Sequence, residues 1–83
     1  LPTVKGIGKV VDQVPTHVPK NWSKADISDA IETYRHSIAL RKAEAEAFDA
    51  AGGGYVWARK ARFERIVQEE NFLRKMLKRL EDM

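Results

Sequence analysis

With 83 residues, 15 Lys/Arg against 12 Asp/Glu and a net charge of +3, the chain suffices for one domain and is too short for two. The absence of cysteine excludes disulfide staples and thiolate metal sites, and two histidines without a Cys/His cluster around them give no reason to expect a structural zinc or a cofactor. No apolar run approaches the roughly 20 residues that span a bilayer, and no signal peptide is visible. A domain this small hides about 60% of the surface its unfolded form exposes, so its margin of stability is thin. The start at Leu1 rather than Met suggests a processed or a trimmed piece of a longer protein.

Residues 1–22 lack a helical period. Pro2, Gly6, Gly8, Pro15 and Pro19 punctuate them, and Lys9-Val10-Val11 makes an isolated strand at most. Val10, Val11, Val14, Val18 and Trp22 nevertheless give this stretch something apolar to pack with. We expect an irregular arm lying across a helical body. Ser23 then reads as an N-cap with Asp26 three residues later, a box-like pair at the positive end of a helix dipole. Ile27, Ile31, Tyr34, Ile38, Ala45 and Phe48 fall within about 80° of one line at roughly 100° per residue, which predicts an amphipathic helix over about 24–50. Gly52-Gly53-Gly54 ends it.

A second helix is predicted over about 55–82, with Ile66, Leu73, Met76, Leu77 and Leu80 as its main stripe and Phe63 and Phe72 on the shoulders. A three-residue link favours antiparallel neighbours, so the expected fold is all-α: a helical hairpin with the N-terminal arm packed across it. Leu40, Ala43 and Ala47, beside His36, form a weaker second apolar face on the first helix. The arm, a break that makes a third helix, or a partner chain should cover it.

Charge is unevenly spread. Residues 1–22 carry a balance of +2, residues 23–50 of −2 and residues 51–83 of +3. Basic side chains of the second helix cluster as Arg59, Lys60, Arg62 and Arg65, and again as Arg74, Lys75, Lys78 and Arg79. Such clusters suit a phosphate backbone or an acidic partner, and they also suit a plain solvated helix face.

More specific are the charges inside the apolar pattern. Arg41 falls within the stripe of the first helix, and Arg62, Glu69 and Glu70 fall among Ile66 and Leu73. In a hairpin closed near residue 53, position 41 lies opposite about position 65, so Arg41 reaches Glu69 with a modest axial offset. Charged groups are rarely buried unless paired. The pair fixes helix register, or it is a preorganised site whose arginine meets a phosphate, or Arg41 snorkels outward.

Pro15-Thr16-His17-Val18-Pro19-Lys20 places a histidine beside a lysine in a proline-stiffened loop. RNA cleavage by 2′-OH attack needs a base, an acid and a cation at the phosphate, but no metal, and a histidine titrates near neutral pH. His17 is the first candidate and His36 the second, each with the alternative of an incidental surface residue. Trp22, Tyr34, Tyr55 and Trp57 are candidates for stacking on unpaired bases, although Tyr34 fits the core better and Trp57 equally caps the hairpin end. Gly6-Ile7-Gly8 is too little for a nucleotide loop, and the three glycines before Tyr55 read as a hinge or an anion cradle.

His17-Val18-Pro19-Lys20-Asn21-Trp22-Ser23, followed by Ser37-Ile38-x-x-Arg41-x-x-Glu44 and continuing through Arg65-Ile66 and Glu69, resembles the C-terminal toxin modules of bacterial polymorphic toxins. These include contact-dependent growth-inhibition effectors and nuclease bacteriocins, and the likeness covers about residues 14–75. It implies a small ribonuclease, often acting on tRNA, neutralised by a dedicated, acidic immunity protein. It also implies a secreted or cell-surface effector delivered into the cytoplasm of a target bacterium. By that resemblance His17, Arg41 and Glu69 form the site, with Lys20 and Ser37 beside them. Many such toxins carry their catalytic groups on a twisted sheet, for which this chain has no room.

The expected function is therefore a metal-independent ribonuclease toxin domain. Its arm supplies His17 and Lys20, its first helix supplies Arg41, and Arg59, Lys60, Arg62 and Arg65, with Trp57 and Trp22, hold the RNA. The rivals are a helical adaptor or oligomerisation module and a nucleic-acid-binding module without catalysis.

Overall fold

A computed structural model of the chain describes residues 14–83. Within them Ser23 begins the first helix by the expected reciprocal cap. Its hydroxyl accepts from the Asp26 N–H at 3.1 Å, and the Asp26 carboxylate accepts from the Ser23 N–H at 3.0 Å. Two otherwise orphaned helix donors are satisfied this way. The helix, α1, runs over Lys24–Ala50, and the second, α2, over Val56–Asp82. No strand occurs among the described residues, and no helix there is long and apolar enough to cross a membrane. Gly6, Gly8 and the Lys9–Val11 run lie outside the described residues.

The glycine link is more ordered than a hinge. Gly53 N–H donates to Phe48 O at 2.7 Å and Gly52 N–H to Asp49 O at 3.2 Å, the paired bonds of a Schellman stop. Gly52 at φ 114° and Gly53 at φ 81° occupy backbone space that side chains disfavour. Arg62 Nη2 then donates to Gly53 O at 3.1 Å, which ties the link to the first turns of α2. Tyr55 caps α2 without a side-chain hydrogen bond.

Two facing helices bury one stripe each, and a deeper core needs a third element. Here the arm supplies it, at the open end of the hairpin. Val18 joins Ile27, Ala30, Ile31 and Tyr34 of α1 and Phe72 and Met76 of α2 in one buried cluster, with Val14, Trp22, Leu73 and Leu80 packed against it. Trp22 and Tyr34 both stand edge-on to Phe72, at 6.2 and 5.0 Å between ring centres. Each such pair adds about 0.5–1.5 kcal/mol beyond its buried area. Polar bonds hold the arm down: Lys75 Nζ donates to Thr16 O at 2.6 Å, and Arg79 Nη2 donates to Val18 O at 3.1 Å.

Toward the glycine link the core thins out. Ile38 and Ile66 are still buried, but Phe48 and Phe63, predicted in or beside the stripes, stand 54% and 65% exposed. Leu77 is also more exposed than its stripe position implied, and Phe72 is fully buried. The buried face of α2 is thus rotated toward Phe72 and Glu69, because the arm packs on that side. Among the described residues nothing covers the second apolar face of α1, with Leu40 half exposed and Ala43 and Ala47 exposed.

Candidate functional site

The stretch between the core and the glycine link is where the hairpin puts its charge. Glu69 projects from α2 into the seam and is completely buried. One oxygen accepts from Ser37 Oγ at 3.1 Å, and the other accepts from Arg41 Nε at 2.9 Å and from Arg65 Nε at 3.2 Å. Ser37 and Arg41 are one helical turn apart on α1, and Arg65 and Glu69 one turn apart on α2, so both pairs point the same way. A carboxylate sealed from water is tolerated because it accepts three hydrogen bonds, two of them from cations.

The two arginines are not equivalent. Arg65 is 18% exposed and Arg41 is 38% exposed. Arg41 spends Nε on Glu69, while its two terminal nitrogens make no hydrogen bond among the described residues, and the residue lines a small depression with Glu44, Arg62 and Ile66. Its guanidinium is therefore held at Nε and partly exposed, with two nitrogens left to donate. Beside it, exposed Lys42 meets half-buried Glu70 at 2.9 Å across the same two helices.

Tyr34 borders the cluster from the core side. Its hydroxyl is buried with no hydrogen-bond partner among the described residues. Burial pushes the phenol above its ordinary pKa and the Glu69 carboxylate adds to that, while Arg65 and Arg41 oppose it. The ring stays neutral, a donor without an acceptor at the edge of a charged site.

Ser37, Arg41 and Glu69 are thus brought together, and Arg41 reaches Glu69 as the hairpin register implied. Arg65 belongs with them, a role for it that sequence reasoning missed; the Arg65/Glu69 spacing of four residues was the available signal. His17 and Lys20 are exposed on the arm, whose bonds run to Lys75 and Arg79. Lys75 lies six residues beyond Glu69, about 9 Å along α2. His36 is exposed on α1. Trp22 is turned into the core against Phe72 and is half buried.

The basic residues near the glycine link divide as well. Arg62 bonds Gly53 O and lies over the Phe48 ring at 4.6 Å, so it serves the fold. Arg59 stands 3.8 Å from Asp49, with both side chains more than half exposed. Lys60 is exposed and has no ion pair among the described residues, and Trp57 is 71% exposed. Among the described residues no group of three His, Cys, Asp or Glu side chains is arranged to hold a metal ion. No protein-family model, curated protein or solved structure matches the chain.

Proposed function

We propose that the chain is a small RNA-cleaving toxin module, as its sequence resemblance implies, with Arg41 as the group that meets the phosphate. The observation that carries this reading is the Ser37–Arg41–Arg65–Glu69 cluster. Apolar side chains of similar volume hold a helix pair together as well as a buried ion cluster does, or better. A marginal domain that nevertheless keeps a sealed carboxylate and two arginines in its seam has a use for them beyond packing.

The chemistry follows from what each group can reach. In cleavage by 2′-OH attack, a base takes the 2′-hydroxyl proton, the oxygen bonds to phosphorus, and the P–O5′ bond breaks as an acid protonates the departing oxygen. Products are a 2′,3′-cyclic phosphate and a 5′-hydroxyl. Arg41 supplies charge to the crowded phosphate through its open edge. Glu69 is sealed in the seam and out of reach of substrate, so it is a positioning residue that holds the Arg41 guanidinium, with half-buried Ser37 bonded to its other oxygen. His17 is the proton carrier this reading assigns, and tRNA, a dedicated immunity protein and delivery into a target bacterium remain the biological setting the resemblance implies.

A test follows directly: the purified protein is incubated with total RNA and with tRNA in EDTA, and the products are run on a denaturing gel. Discrete fragments that disappear in both His17→Ala and Arg41→Ala proteins place the two residues in one reaction. Fragments lost only with Arg41→Ala remove His17 from the mechanism. Intact RNA from a protein folded by circular dichroism refutes the ribonuclease. A second reading would then gain from the uncovered Leu40 face of α1, which suits a helical interaction module.

A further inference from the structure

The end of the hairpin exposes more apolar surface than a small domain needs to. Tyr55, Val56 and Trp57 are 72%, 77% and 71% exposed, and all three sit where the chain leaves the glycine link and enters α2. Tyr55 and Trp57 are not splayed at random. Their ring planes are within 10° of parallel, with centres 6.0 Å apart, so the pair forms one aromatic step with outer π-faces open to solvent. Neither ring contributes to the buried core.

The charge around this step is mostly basic. The first turn of α2 holds no acidic residue, Arg59 and Lys60 follow directly, and Asp49 is the carboxylate that Arg59 approaches, loosely, at 3.8 Å. Exposed rings beside exposed cations are the two components of a surface for unpaired nucleobases: bases stack, and the phosphates between them meet lysine and arginine. Duplex RNA offers its phosphates but not its base faces, so only the cations would engage it.

From this arrangement we infer that the Tyr55–Trp57 step, with Arg59 and Lys60, docks single-stranded RNA by base stacking. This rests on the proposal that RNA is the substrate and narrows it to unpaired segments.

The test uses the full 83-residue chain and a non-cleavable 2′-O-methyl oligoribonucleotide of about ten nucleotides, a length within the range one single-strand site covers. Tryptophan fluorescence is followed as the oligonucleotide is added as a single strand and as a duplex, and the affinity of each variant is read from the anisotropy of a dye-labelled oligonucleotide, since the remaining Trp22 packs on the core. The single strand should quench the emission and the duplex should not. Trp57→Ala should weaken single-strand binding about tenfold, and Lys60→Ala should lower the salt slope by about one. Equal quenching by duplex, a Trp57→Ala loss of less than about twofold against that expectation, or equal quenching by polyglutamate overturns the inference; the last would point to an acidic protein instead. The two proposals fail separately. RNA bound but not cleaved removes the ribonuclease and keeps the stacking surface. Cleavage by a Trp57→Ala protein with unchanged single-strand affinity does the reverse.

Discussion

Replacing Glu69 with Gln keeps the shape of the side chain and removes its charge, leaving Arg41 and Arg65 without their counter-ion. Removing one partner from a fully buried ion pair costs about 3–5 kcal/mol. Here the arginines are 38% and 18% exposed, so water recovers part of their charge, Arg41 more than Arg65. The Gln oxygen still accepts from one guanidinium, and its amide can donate to Ser37 Oγ. The net cost should be about 2–3 kcal/mol, a large part of the roughly 4–12 kcal/mol a domain of this length commands. Far-UV circular dichroism should show the melting temperature lowered by about 10–20 °C, with the urea m-value unchanged. A companion protein carrying Arg41→Met, Arg65→Met and Glu69→Leu should fall within about 1 kcal/mol of the parent, because it buries no unpaired charge. If Glu69→Gln costs less than about 0.5 kcal/mol, far below that expectation for a buried pair, the cluster is not an electrostatic unit and the argument for Arg41 as a preorganised cation fails.

Tyr34→Phe removes a buried hydroxyl that has no partner among the described residues, so it should leave stability unchanged or raise it by up to about 1 kcal/mol in urea titrations; a clear loss would reveal a bond to that oxygen. The raised phenol pKa also has a signed consequence: the folded state holds its proton more tightly than the unfolded one. That contribution is complete below about pH 10 and is lost as pH rises through the raised value, so the Tyr34→Phe protein should lose less stability in alkali than the parent. Parallel alkaline slopes would refute the assignment. Gly53→Ala forces a side chain onto φ 81° and sets its Cβ 3.2 Å from Arg59 Cδ. The arginine tip can swing aside, but the backbone strain remains, so the loss by thermal melting should be about 1–2 kcal/mol. A neutral result would show that the Schellman stop does not hold the link.

Local chemistry made much of this protein legible in the sequence. Ser23 and Asp26 lie three residues apart, and a capping box needs only that spacing. The glycines end α1 wherever the rest of the chain goes, since side chains disfavour the left-handed backbone that the turn requires. The period of Ile27, Ile31, Tyr34 and Ile38 sets one buried face, and the shortness of the link makes the helices antiparallel. From those facts the meeting of Arg41 and Glu69 followed.

What the sequence left open depends on where a third element lies. Helical period says which residues share a face, but not how far that face extends once the arm covers part of it. Val18 and Trp22 pack at the open end, which draws Phe72 fully inside and leaves Phe48 and Phe63 in solvent, although all three aromatics have comparable positions in the pattern. The same placement decides the site. Arg65 turns inward to Glu69 while Arg62 turns to the glycine link, and the arm that carries His17 is tied down at Thr16 and Val18 by Lys75 and Arg79. Spacing along one helix fixes its neighbours one turn away; contacts between segments far apart in sequence are chosen by packing, which only the tertiary structure decides.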